Sequence, residues 1–283
     1  PRLRCTQKMT QRLLGRKTLQ TDDDPLWICI MKDLRRFEDP KNPGSRMLGF
    51  CSVRPRIPGG PIPPDKAACW IAISADGNGA DPMLAATLAH EIFHAFQFAF
   101  SRREEKWLVE GSAVWSEDFA GRDWNVEQRR LDGWTFDSSA NIHNPLTRES
   151  RSAYGMFLFF EFLTRVRSGG GDAVMRSIWE RCEAVPGASL SSVVTAAGGD
   201  FKDIFKEYAL ATIDVGDARG RFPDQVGAYG GSAPLDLLSA HMFGGLWKIA
   251  ADGTIVREGG IGIAGMAIQY LRIDNGAEGP EAP

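Results

Sequence analysis

Two histidines and a glutamate within five residues form the part of this sequence best suited to chemistry. They are His90, Glu91 and His94, in the pattern H-E-x-x-H. On a helix, residues four apart lie on one face, so both imidazoles can bind the same zinc ion. Glu91 is rotated about 100° from His90, where it can take a proton from water but is badly placed to be a ligand. The pattern therefore predicts a zinc site with a general base, and a pair of surface histidines is the alternative reading of the same residues.

The sequence around this pattern predicts a largely buried helix. Asp81 and Pro82 are a preferred N-cap and a preferred first helical residue. No glycine or proline interrupts the run from Met83 to Phe100. An apolar stripe recurs at helical spacing at Ala89, Phe93, Phe96 and Phe100. The two histidines flank this stripe, so we expect them to face a metal rather than solvent.

A second motif follows at residues 107–117, with the sequence W-L-V-E-G-S-A-V-W-S-E. A catalytic zinc site needs a third protein ligand and leaves the fourth position to water. Fifteen residues separate His94 from Glu110, enough for a short charged loop and a returning helix. Glu117 lies seven residues further, on the same helical face, and is the rival ligand. We expect Glu117 instead to accept the other N–H of a ligating imidazole, with Asp118 an equal candidate and a surface charge the alternative.

The two motifs together resemble those of the gluzincin metallopeptidases, the thermolysin- and aminopeptidase-like clan. The resemblance covers residues 88–118, with H-E-x-x-H followed by W-L-x-E-G-x-A. It implies that His90, His94 and Glu110 bind zinc. It also implies that Glu91 is the general base. A G-x-M-E-N exopeptidase signature is absent upstream of the helix, so aminopeptidase activity is not implied.

Hydrolysis of a peptide bond fits these residues. Zinc would lower the pKa of water and polarise the carbonyl, while Glu91 passes the proton to the leaving amine. An ester or another amide would fit the same chemistry. In gluzincins a tyrosine or histidine from a later helix also stabilises the oxyanion, and the candidates here are Tyr154, His143 and His241. Tyr154, at the start of a later helix, is the first of them, although such a tyrosine is more often only half-buried packing.

Composition narrows the class of protein. The chain has 283 residues, of which 43% are hydrophobic and 24% are charged, as in ordinary soluble globular proteins. A net charge of −3 and a pI near 5.9 argue against nucleic-acid binding. No apolar stretch is long enough to predict a membrane span. The expected partner is a protein or peptide substrate, and the oligomeric state is not predicted.

The five cysteines show no C-x-x-C spacing, which argues against a cysteine metal site. Four of them, Cys5, Cys29, Cys51 and Cys69, fall in the first 70 residues. This clustering predicts one or two disulfides, with Cys51–Cys69 the first candidate, and so a secreted or extracytoplasmic protein. Reduced, buried thiols are the alternative.

The fold class we expect is α+β: a zincin-like catalytic core with a small N-terminal sheet, a helical lobe and a small β-rich C-terminal appendix. The corresponding regions are 1–84, 85–214 and 215–283. The resemblance implies that the strand predicted at Ala68–Ser74 forms the cleft edge, where an extended substrate can add. A buried strand is also predicted at Trp27–Met31. Helices are predicted at 153–166, 172–184, 189–198 and 201–213, and strands at 245–250, 254–257 and 266–272.

The sequence therefore predicts a zinc-dependent peptidase, an endopeptidase with Glu91 as general base. A variant of this hypothesis is a secreted protease that acts on a single host protein. The alternative from another class is a non-catalytic or structural zinc protein that binds a glycan or a protein through its C-terminal β region. A structural zinc site would be closed by a fourth protein ligand, and the motifs offer no good fourth residue.

Overall fold

The computed structural model describes residues 26–32, 34, 48–54, 62–74, 82–130, 152–169, 171–211, 222, 247–249, 255–257 and 273–274. A small N-terminal sheet is followed by a long helical region and by a second small sheet. The α+β class is confirmed. Among the described helices, none combines the length and the apolar character needed to cross a membrane.

The N-terminal sheet has three strands: β1 (Trp27–Met31), β2 (Gly49–Val53) and β3 (Cys69–Ser74). The order is β1-β3-β2, with β1 parallel and β2 antiparallel to β3. The prediction that the strand at Ala68–Ser74 forms the cleft edge is therefore wrong, because β3 is paired on both sides. Among the described strands, the sheet edges are β1 and β2.

β1 has the predicted bounds but not the predicted burial. Its Trp27 and Ile30 side chains are 58% and 55% exposed. An apolar run indicates a strand, yet its periodicity does not say where the strand lies in the sheet. β3 lies within the strand predicted at Ala68–Ser74, and its Ile71 and Ile73 side chains are buried in the core shared with the helices.

Two long helices form the centre of the protein. Helix α1 (Pro82–Phe100) begins at the predicted proline, and helix α2 (Lys106–Ala120) returns along it. The loop between them is fastened to a distant part of the chain, because the Glu104 carboxylate accepts hydrogen bonds from Gly187 N and Ser189 Oγ. Large aromatic side chains fill the core around the helices: Phe93, Phe96, Phe100, Trp107, Trp115, Phe157, Phe159, Phe160 and Trp179.

The segment predicted as one helix at 153–166 is interrupted. It consists of α3 (Ser152–Gly155), a turn at Met156, α4 (Phe157–Glu161) and a π-helical stretch at Phe162–Arg167. The turn packs closely against α2 at Gly111. A Cβ atom at Gly111 would stand only 2.8 Å from Met156 Cβ.

This close approach predicts that Gly111→Ala destabilises the protein. Overpacking costs about 1–3 kcal/mol, and the better helix propensity of alanine returns about 1 kcal/mol. We expect the free energy of unfolding to fall by up to about 2 kcal/mol in a denaturant titration. Gly171→Ala is the matched control, because a Cβ there makes only ordinary contacts, the nearest at 3.4 Å. Equal stability of the two variants would contradict the prediction.

The later elements follow their sequence signals closely. Helices α5 (Ala173–Ala184), α6 (Ser189–Ala197) and α7 (Phe201–Ala211) are present. Gly198, with φ of +66°, ends α6, and Asp200 Oδ1 accepts the Lys202 N–H at the start of α7. The second sheet has the order β5-β4-β6, formed by β4 (Trp247–Ile249), β5 (Ile255–Arg257) and β6 (Ile273–Asp274). Two of these strands lie in predicted runs, and β6 begins one residue after the third.

The predicted Cys51–Cys69 disulfide is not formed. Both residues are reduced thiols on neighbouring strands of the N-terminal sheet. A hydrogen bond between the two thiols, together with burial, raises the pKa of Cys51. The secreted or extracytoplasmic location stays a prediction, and Cys5 lies outside the described residues.

Candidate metal centre

Three ligand atoms from the two central helices converge. One turn of α1 separates His90 from His94, and their ring centroids are 4.7 Å apart. From α2, Glu110 Oε2 lies 3.4 Å from His90 Nε2 and 3.7 Å from His94 Nε2. The ligand atoms of the three residues lie within 4.8 Å of one another. Within the described ranges, this is the group whose donor atoms could hold a metal ion.

The other nitrogen of His90 has a buried carboxylate as its partner. Glu117 Oε1 lies 2.8 Å from His90 Nδ1, and Glu117 is 2% exposed. Asp118, the other candidate from the sequence, points elsewhere and pairs with Arg165. A carboxylate that accepts Nδ1–H orients the ring and makes Nε2 a better ligand.

The other nitrogen of His94 has a partner that sequence reasoning missed. Gln97 Oε1 lies 2.6 Å from His94 Nδ1. Gln97 follows His94 by three residues, a spacing that brings side chains together on one helix face, so this spacing was the available signal. Both imidazoles therefore direct Nε2 towards Glu110, while Nδ1 of each ring is hydrogen-bonded to Glu117 or to Gln97.

Opposite charges at the site shift two pKa values strongly. Burial lowers the pKa of His90, but its hydrogen bonds to Glu110 and Glu117 outweigh burial and raise the pKa to about 10. Burial raises the pKa of Glu110, but the hydrogen bond from His90 and the nearby His94 outweigh it and lower the pKa to about 2. Both shifts follow from the pairing of the His90 imidazole with the Glu110 carboxylate.

Glu91 is not one of the converging ligands, although it lies in their electrostatic field. It is 7% exposed, and burial raises the pKa of its carboxyl. The charges of His90 and His94 act in the opposite direction, and those of Glu110 and Glu117 add to the rise. A carboxylate with a raised pKa binds a proton more readily, as a general base must.

Aromatic rings flank both imidazoles. The Tyr154 ring stacks on His90 with centroids 6.2 Å apart and an interplanar angle of 18°. Phe98 stacks on His94 at 6.0 Å and 14°. The structure thus places Tyr154 beside the candidate ligands, whereas His143 and His241 lie outside the described residues.

Comparisons of the chain with protein-family models, curated proteins and solved structures gave no match. The chemistry proposed for this site therefore rests on its own residues. Those residues are two imidazoles and a carboxylate that converge, a buried carboxylate beside them, and a hydrogen-bond acceptor behind each imidazole.

Proposed function

We propose that this protein is a zinc-dependent endopeptidase with a zincin-like, gluzincin-type site. The observation that carries the proposal is the convergence of His90, His94 and Glu110 within 4.8 Å. The motif resemblance assigns ligand roles to the same three residues. The motifs and the geometry therefore favour the same ligand set.

The donor set fits zinc. Two imidazoles and one carboxylate are a common ligand set for catalytic zinc, which leaves the fourth position open. Within the described residues, the converging group contains no fourth protein donor. A three-ligand group favours a catalytic site over a structural one, because structural zinc is almost always held by four protein ligands.

In this proposal Glu91 and Glu117 have different roles in hydrolysis. Zinc, when bound, supplies Lewis acidity, which lowers the pKa of water and polarises the scissile carbonyl. Glu91 takes the proton of the attacking water and later gives it to the leaving amine. Glu117 holds His90 in a fixed orientation through Nδ1. Burial of Glu91 supports its role, since it raises the affinity of that carboxylate for the proton.

Strand β2 is the edge that we assign to an extended substrate. It runs antiparallel to β3 and packs on α1, where a Cβ on Gly49 would stand 2.8 Å from Thr87 Cγ2. Its outer side is a sheet edge among the described strands. A peptide could add there by main-chain hydrogen bonds, the role that the resemblance implies for the strand at β3.

Tyr154→Phe should separate the hydroxyl of this residue from its ring. The variant keeps the aromatic face that stacks on His90 but removes the group that would donate to the oxyanion. We expect unchanged zinc content and a kcat lower by about 10²–10³-fold. Steady-state kinetics on a cleaved peptide checks this, and an unchanged kcat would remove Tyr154 from the catalytic residues.

A peptide-library digest read by mass spectrometry tests the proposed function. The protein is compared as purified, after chelation and after the return of one equivalent of zinc, with Glu91→Gln as the control for contaminating proteases. Internal cleavages that vanish on chelation, return with zinc and are missing in the variant support the proposal. Failure to retain zinc, or identical cleavages in the variant, would overturn it.

A further inference from the structure

We propose that Gln97 is a positioning residue, which fixes the tautomer of His94 and ties that ligand to the helix carrying Glu110. The inference rests on the proposed function for the role of the metal. It extends the functional pattern on α1 from H-E-x-x-H to H-E-x-x-H-x-x-Q. The hydrogen bonds of the buried Gln97 amide support the inference.

The amide of Gln97 can take only one orientation. Gln97 is fully buried, and its Nε2 donates to Val109 O at 2.8 Å and to Ser112 Oγ at 2.9 Å. The Val109 carbonyl can only accept a hydrogen bond, so it requires the nitrogen of the amide on this side. Ser112 Oγ donates its own proton to Leu108 O at 2.6 Å, which leaves its lone pairs to accept from Gln97.

The fixed amide in turn fixes the imidazole. With the nitrogen turned to α2, Oε1 faces His94 Nδ1 at 2.6 Å. An amide oxygen can only accept, so the proton of a neutral His94 ring must be on Nδ1. The lone pair is then on Nε2, the atom that lies 3.7 Å from Glu110 Oε2. The ring is thereby prepared to bind a metal through Nε2.

The same amide fixes the distance between the two helices at the ligands. Val109 immediately precedes the third ligand, and Ser112 follows it by two residues. Gln97 therefore contacts a ligand on α1 and the turn of α2 that carries Glu110.

The two histidines are thus held by acceptors of different charge. The carboxylate of Glu117 serves His90, and a neutral amide serves His94. A second carboxylate behind His94 would add negative charge to a cluster that already contains Glu91, Glu110 and Glu117. A neutral acceptor fixes the tautomer without that repulsion.

The first experiment uses metal-free protein, so that it does not depend on zinc. Nitrogen-15 NMR of the neutral His94 ring distinguishes Nδ1–H from Nε2–H. We expect Nδ1–H in the unmodified protein and a mixture of tautomers in Gln97→Met. An Nε2–H ring in the unmodified protein would overturn the inference, whatever the variant does.

The second experiment measures zinc affinity by competition with a chelator. We expect Gln97→Met to bind zinc about 10–100-fold more weakly, the range found when groups that support metal ligands are removed. Ser112→Ala keeps Gln97 Oε1 as the acceptor for His94 Nδ1 but removes one of the hydrogen bonds that hold the Gln97 amide on α2. We therefore expect a smaller loss of zinc affinity than in Gln97→Met, with the tautomer of His94 unchanged. Gln128→Met is the matched control, because the Gln128 amide bonds to Asn125 rather than to a ligand.

The outcomes separate this inference from the proposed function. If the unmodified protein takes up no zinc, the proposed function fails, while the metal-free tautomer measurement still decides the role of Gln97. If it binds zinc and Gln97→Met binds equally well with the same tautomer, the inference fails alone. If Gln97→Met does not fold, the tautomer of the unmodified protein and the affinity of Ser112→Ala decide it.

Discussion

Glu91→Gln should leave zinc bound and lower kcat for peptide hydrolysis by about 10²–10⁴-fold. The loss follows from the chemistry of the group, since an amide cannot take the proton that a carboxylate takes. Zinc should stay because Glu91 is not one of the three converging ligands. Metal analysis and steady-state kinetics on the same preparation measure both quantities.

Glu104→Gln is the matched control for this substitution. Its carboxylate accepts hydrogen bonds from Gly187 N and Ser189 Oγ, and it lies in the loop before α2, outside the converging group. We expect the control to keep both zinc and kcat. Full activity in Glu91→Gln would remove the general base from the mechanism, and loss of zinc would mean that Glu91 supports the ligands.

His94→Ala should abolish zinc retention. Two donors remain, and Glu110 keeps a single imidazole partner instead of the two that it now faces. Zinc that binds the folded state alone raises the melting temperature of the protein. We therefore expect a zinc-dependent rise in Tm for the unmodified protein and none for His94→Ala, with metal content after gel filtration falling from about one per chain to near zero.

The remaining histidines supply the controls for this prediction. His143→Ala and His241→Ala remove the same kind of side chain outside the predicted ligand set. Both variants should retain zinc and the Tm response. Loss of zinc in either would show that the ligand set contains a different histidine, and retention in His94→Ala would exclude His94 as a ligand.

Helix geometry made the shared face of His90 and His94 predictable, whereas the choice of Glu110 over Glu117 came from the motif resemblance. Residues four apart on α1 must share a face, and a short loop after α1 must return the chain beside it. Pro82 at the start of α1 and Gly198 at the end of α6 act on the backbone within a few residues of themselves. These helix ends were therefore also predictable, because they do not depend on contacts with distant segments.

Other features depend on contacts between distant segments, which local patterns do not encode. The central position of β3 depends on which strands pair with it, and its apolar sequence is compatible with either a central or an edge strand. The break in the helix at Met156 coincides with Gly111 on another helix. Gln97 was missed because its role requires α2 as well as His94, and only the spacing to His94 is visible in the sequence.

Adjacent carboxylates on α2 have a consequence for how this helix is seated. Glu117 bonds to His90 on one side, and Asp118 pairs with Arg165 on another. Consecutive helical residues point about 100° apart, so His90 and Arg165 contact α2 from different directions. Any roll of α2 about its axis would break at least one of these buried pairs. The rotational setting of Glu110 is therefore fixed from two turns away, by carboxylates that are not among the three converging residues.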